Sequence, residues 1–192
     1  MAFVLFPAVG GLIMVAPALG TLLIGEGLRA DALMVTPLIS LGALLSGLNT
    51  YYFLQAFTLA RKTRLLVVAM AVPAVSNIAL NLLLIPLMGL MGAAVASALS
   101  FALGLVASWL LGLKTLALPV PVPDLGKTLL SVAVMMAAVA LVPSTHLPVV
   151  DLITKGTTSV LVYALLAWLF DLNHIREPAL KIVNRLRAKV FA

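Results

Sequence analysis

Residues 85–92 read Ile85-Pro86-Leu87-Met88-Gly89-Leu90-Met91-Gly92 and sit midway along an uncharged run from 65 to 113. That run is too long for one membrane-crossing helix, because about 20 residues already span the roughly 30 Å of bilayer hydrocarbon. A proline and two glycines at its centre supply a break, so the spacing predicts two helices joined by a tight hairpin. Working outward, residues 1–25 carry no charge and precede Glu26, Arg29 and Asp31, which read as a short linker. Residues 32–60 are again uncharged and end at Arg61-Lys62-Thr63-Arg64. Beyond Pro119, Pro121 and Pro123 come apolar blocks at 128–142 and 152–170, separated by a polar turn through Ser144, His146 and Asp151. The pattern predicts an all-α integral membrane protein. Residues 1–170 form six transmembrane helices arranged as three hairpins, and residues 171–192 form a tail.

Composition excludes the other classes. Only 9% of the 192 residues are charged and 64% are hydrophobic, against about 25% charged in soluble domains. The mean hydropathy is +1.23. Disorder requires the opposite balance, low hydrophobicity with high charge. Cysteine is absent, which removes disulfides, thiolate metal sites and cysteine nucleophiles. The first block lacks a basic leading region and an Ala-x-Ala-like site, and Pro7 and Pro17 interrupt it, so it reads as a span rather than a signal peptide.

The basic residues orient the chain. With six spans and a cytoplasmic amino terminus, the inner segments hold Arg61, Lys62, Arg64, Lys114, Lys127, Arg176, Lys181, Arg185, Arg187 and Lys189, while the outer segments hold Arg29 and Lys155. This asymmetry satisfies the positive-inside rule and places both termini on the cytoplasmic side of the cytoplasmic (inner) membrane. In the tail, Ile182, Val183, Leu186 and Val190 recur at helical spacing opposite Lys181, Arg185 and Lys189. Two readings fit: a short amphipathic helix lying on anionic membrane lipids, or a solvated end.

Chemistry at membrane depth is sparse. The carboxylates Glu26, Asp31, Asp124, Asp151, Asp171 and Glu177 all fall in loops, at span ends or in the tail, whereas proton relays and ion-coupled pumps carry ionisable groups within their spans. His146 and His174 lie on opposite sides of the membrane without ligand spacing. No nucleophile–base pair, phosphate loop or catalytic carboxylate pair is present, and no basic clusters interleave with aromatics as nucleic-acid binding requires. An enzyme, a cofactor, a metal and a nucleic-acid partner are therefore not expected. The polar residues at depth are Asn49 and Gln55 in the second span, and Asn77 and Asn81 in the third. The last two, four residues apart, share one helix face. These amides either line a hydrated substrate path or pair between helices as packing contacts.

The fourth span carries Gly92, Ala96, Ser100, Gly104, Ser108 and Gly112 at every fourth position. Such small-xxx-small steps let helix backbones approach closely, which makes this span central. Pro7 and Pro17, with Gly10, Gly11 and Gly20, make the first span a candidate broken helix.

Taken in order, several stretches resemble the later spans of bacterial polysaccharide flippases. They are Pro7-Ala8-Val9-Gly10, Ile24-Gly25-Glu26-Gly27, and Gly47-Leu48-Asn49-Thr50-Tyr51-Tyr52 running into Ala60-Arg61-Lys62-Thr63-Arg64. The strongest is Asn77-Ile78-Ala79-Leu80-Asn81 followed by Ile85-Pro86-Leu87-Met88-Gly89-Leu90-Met91-Gly92-Ala93-Ala94, similar to the family's asparagine-rich helix, hairpin and Gly-Ala-Ala helix entry. Motifs carry the resemblance over residues 1–113, and only the hairpin pattern carries it over 114–170. The resemblance implies transport of a polyprenyl-pyrophosphate-linked oligosaccharide by two helical lobes rocking around a cavity, in polysaccharide or lipopolysaccharide biosynthesis. It places Asn77 and Asn81 at the cavity wall and Gly89 and Gly92 in the hairpin. Family members have twelve to fourteen spans. The chain thus looks like the last six of a fourteen-span member, inactive alone and completed by an N-terminal lobe or a second copy. The alternatives are a dimerising half-transporter and a non-transporting scaffold for envelope-biosynthesis enzymes.

Overall fold

The charged stretch at 26–31 is helix, not linker. In the computed structural model, which describes residues 2–113, 115, 122–145 and 147–172, α1 spans Ala2–Leu23 and α2 Glu26–Leu48. The connection shrinks to Ile24 and Gly25 because the charges serve both helix ends. Glu26 lies in the first turn of α2, where the helix dipole favours an anion. The Arg29 guanidinium donates back to the Ile24 carbonyl at 3.3 Å and the Thr21 carbonyl at 3.5 Å, satisfying the open end of α1.

After α2 a π-helical turn, Asn49–Phe53, leads directly into α3 (Leu54–Leu59), so the rod runs unbroken from Glu26 to Leu59. It ends in a Schellman arrangement. Arg61 takes φ 54°, the Lys62 N–H bonds the Phe57 carbonyl, and the Arg61 N–H bonds the Thr58 carbonyl. The element α4, Thr63–Leu113, reverses at Gly89, whose φ 56°, ψ −132° is non-helical. Its two arms run antiparallel: Pro73 lies against Gly104, and Leu84 against Gly92. The turn therefore falls inside the stretch where proline and paired glycines predicted it. Two further helices follow, α5 (Val122–Ala140) and α6 (Pro148–Leu169). Both start earlier than their apolar blocks, and in α6 Pro148 occupies the first helical turn, where it is well suited.

α1 packs against α2 on one side and against α5 and α6 on the other, while α4 packs on α2 and α3. Despite Pro7 and Pro17, α1 is one helix over its full length, so the broken-helix expectation is not met. Contacts fix the helix directions. Leu5 meets Gly47 and Gly20 meets Leu33, which makes α1 and α2 antiparallel. Gly42 meets Ala98 and Phe101, and Leu111 joins the cluster of Leu54, Phe57 and Ala69, which makes α2–α3 parallel to the second arm of α4.

Size, more than polarity, separates inside from outside. Ala18, Ala56, Ala69, Ala94, Ala96, Ser100 and Ser108 are buried, whereas Leu23, Leu82, Leu87 and Leu161 are exposed. Large apolar side chains facing out and small ones facing in suit a lipid solvent, where close packing between helices replaces the hydrophobic effect. Among the described residues, Ala2–Leu23, Glu26–Leu59, Thr63–Leu113 and Pro148–Leu169 are long and apolar enough to cross a membrane.

Candidate functional site

Two features at membrane depth carry polar or concave character: an amide ladder in α4 and a groove between α1 and α6. The ladder is built on the α4 hairpin. The Asn81 amide donates to Asn77 Oδ1 at 2.8 Å, and the Asn77 amide donates to Ser97 Oγ at 3.4 Å on the opposite arm. Spacing of four within one arm and the antiparallel register between arms bring the three together. Asn81 Oδ1 is buried and unpartnered among the described residues. The ladder thus cross-links the hairpin and leaves one acceptor over. Ser97 is the member that sequence reasoning missed. Its signal lay in the hairpin register: with the turn at Gly89, Ser97 falls within about one helical turn of the position opposite Asn77.

The other expected residues are placed differently. Asn49 is buried in the π-helical turn and Gln55 is exposed on α3, and among the described residues no hydrogen bond joins either to the ladder. Gly92, Ala96, Ser100, Gly104 and Ser108 are all buried. A Cβ at Gly92 would fall on the Leu84 carbonyl, and one at Gly104 would stand 2.8 Å from Pro73 Cβ. Ser100 donates back to the Ala96 carbonyl at 2.6 Å. Gly92 and Gly104 thus seat the two arms of α4 against each other.

The groove was not legible as a site. It has a volume of about 490 Å³ and is lined by Phe3, Pro7 and Gly11 of α1, Ser159 and Tyr163 of α6, and Met135 of α5, among others. In a regular helix the Phe3 carbonyl would accept from residue 7, which is proline and has no N–H. The Tyr163 hydroxyl takes that place, donating to the Phe3 carbonyl at 2.7 Å, and the two rings lie 5.4 Å apart. Ser159 is satisfied by the Lys155 carbonyl at 2.7 Å. The groove therefore offers an apolar surface. Pro7 was the available signal, since it frees a carbonyl that some donor must cover.

At the α5–α6 turn, Asp151 Oδ1 accepts from the Thr145 N–H at 2.6 Å and the Thr145 hydroxyl at 2.7 Å. Lys155 Nζ donates to Ser144 Oγ at 2.9 Å and lies 4.0 Å from Asp151 Oδ2. These side chains close the turn. Among the described residues no three His, Cys, Asp or Glu come together as metal ligands. His146, His174, Lys114 and the tail 173–192 lie outside the described residues.

No protein-family model matches the sequence, and comparison with curated proteins gives no match. Among solved structures, the lipid II flippase MurJ in its inward closed conformation matches 88% of the chain with a TM-score of 0.76 at 19% sequence identity. The matched part is 36% of the flippase, so the chain spans little more than a third of that protein's length. The chain is thus a multi-pass membrane protein whose helical fold is similar to a part of the flippase MurJ.

Proposed function

We propose that the chain is a helical lobe of a membrane flippase for a polyprenyl-pyrophosphate-linked oligosaccharide, acting in polysaccharide biosynthesis at the cytoplasmic membrane. One observation carries the reading: 88% of the chain takes a fold similar to part of a lipid II flippase. The lobe crosses the membrane six times, as three hairpins formed by α1–α2, the two arms of α4, and α5–α6. Positive-inside asymmetry sets both termini in the cytoplasm. Asn77, Asn81 and Ser97 form a polar strip along the substrate path, and Asn81 Oδ1 is the acceptor free to meet a sugar hydroxyl. The role is passage of a ligand, not chemical conversion.

The lobe requires a counterpart. The charges of the described spans sit at helix ends and turns, so the cationic groups that meet a pyrophosphate come from another lobe of the transporter. The test is reconstitution of the 192-residue chain in vesicles with a fluorescent polyprenyl-pyrophosphate glycan. Photo-crosslinking of the lipid to the chain without translocation is the expected result. Translocation by the monomer would overturn the need for a counterpart, and absence of crosslinking above an unglycosylated phospholipid would overturn the flippase reading.

A further inference from the structure

Two buried oxygens, one in the π-helical turn after α2 and one in the second arm of α4, have no hydrogen-bond partner among the described residues. Asn49 is 6% exposed and Ser108 fully buried, and neither Asn49 Oδ1 nor Ser108 Oγ is paired. Their positions follow from register. Gly42 packs on Ala98 and on the Phe101 ring. Seven residues return an α-helix to nearly the same face, within about 20°. Asn49 lies one heptad beyond Gly42, and Leu105 and Ser108 lie one heptad beyond Ala98 and Phe101. Because α2 and the second arm of α4 are parallel, this register sets Asn49 level with Leu105 and Ser108.

The surroundings make this layer distinctive. On one side, glycine meets alanine backbone at Gly42 and Ala98. On the other, Leu54, Phe57 and Ala69 form an apolar cluster with Leu65, Leu66 and Leu111. Between these two dry layers the backbone itself departs from α geometry: the Leu54 N–H bonds the Asn49 carbonyl, five residues back. Such π-helical turns are frequent at functional sites, and water inserted into the helix ladder is another source of local distortion. A buried polar atom left unpaired costs about 1–3 kcal/mol, and hydrocarbon supplies no alternative partner. Elsewhere in the same arm Ser100 solves this by bonding its own helix carbonyl, a solution Ser108 does not use.

We propose that Asn49 and Ser108 form a binding site for a single buried water molecule, which accepts from the Ser108 hydroxyl and donates to Asn49 Oδ1. The water holds the π-helical turn open and makes this layer a hydrated hinge between two close-packed blocks. The site belongs to the chain itself and is independent of what the bundle transports.

Radiolytic hydroxyl-radical footprinting of the full chain in lipid nanodiscs tests this, because radicals form at bound water and oxidise adjacent side chains. With each rate normalised to the intrinsic reactivity of its side-chain type toward hydroxyl radical, Leu105 is expected to be oxidised several-fold faster than Phe57, which sits in the dry cluster. Asn49→Leu and Ser108→Ala each bring Leu105 down to the Phe57 rate, and Ser108→Thr, which keeps the hydroxyl, retains the labelling. Should Asn49→Leu fail to fold, the Ser108 pair decides the matter alone. Equal rates at Leu105 and Phe57 in the unmodified chain, or Leu105 labelling unchanged in Ser108→Ala, would overturn the proposal.

Discussion

Gly89 occupies a backbone conformation, φ 56° with ψ −132°, that glycine reaches and side-chain-bearing residues avoid. A single such residue turns the 65–113 run back on itself. Proline acts at this scale through what it removes. Pro7 leaves the Phe3 carbonyl without its helical donor, and Tyr163 covers that carbonyl from a different helix. Replacing Tyr163 by Phe leaves the carbonyl open in an apolar groove and should cost about 1 kcal/mol, the usual size of an interhelical hydrogen bond in a membrane protein. Pro7→Ala restores an N–H at residue 7, so in that background the same Tyr163→Phe change should cost much less. Unfolding in detergent of the four proteins of this cycle measures the coupling. Equal costs in the two backgrounds would show that Tyr163 does not act through the carbonyl that Pro7 frees.

At the scale of the element, α4 is held as a hairpin by close backbone approach and by the amide ladder. A Cβ at Gly104 would stand 2.8 Å from Pro73 Cβ, and a disulfide needs about 3.5–4.5 Å between Cβ atoms, so a small spreading of the arms accommodates one. The chain has no cysteine of its own. Pro73→Cys with Gly104→Cys should therefore oxidise to an intramolecular disulfide, while Gly126→Cys with Gly104→Cys should not. A covalent dimer from the first pair, in place of the monomeric crosslink, would place the two arms in different molecules. This hairpin was the most legible part of the fold, because an uncharged run exceeding a bilayer crossing must turn, and Pro86, Gly89 and Gly92 mark where. Boundaries were harder to read. Glu26, Arg29 and Asp31 resembled a linker because charges usually leave the membrane, yet all three lie in α2, and Arg29 reaches back to the carbonyls at the end of α1. The groove between α1 and α6 escaped because apolar residues far apart in sequence carry no periodicity in common. The amides were legible as polar groups at depth. Their partners were not, because Ser97 joins them only through the turn at Gly89.

For the whole molecule, the proposed six crossings rest on length as well as charge. A straight helix of the 51 residues in α4 would be about 77 Å long at 1.5 Å per residue, far more than the hydrocarbon thickness of about 30 Å. The reversal at Gly89 resolves this by returning the chain to the face it left, so Thr63 and Thr115 should share a side. The short Ile24–Gly25 connection between antiparallel α1 and α2, and the turn near Pro143 between α5 and α6, then share the other. Single cysteines at Gly25, Thr63, Thr115 and Pro143 report this directly. In intact cells a membrane-impermeant maleimide should label Gly25→Cys and Pro143→Cys, while Thr63→Cys and Thr115→Cys react only after permeabilisation. Exchange of the two groups would leave six crossings intact and reverse the orientation, contradicting the charge asymmetry. Labelling of Thr63→Cys and Thr115→Cys from opposite sides would mean that α4 crosses once. The antiparallel contacts of Pro73 with Gly104 and Leu84 with Gly92 could not then coexist with a transmembrane α4, and the six-crossing lobe would fall with them.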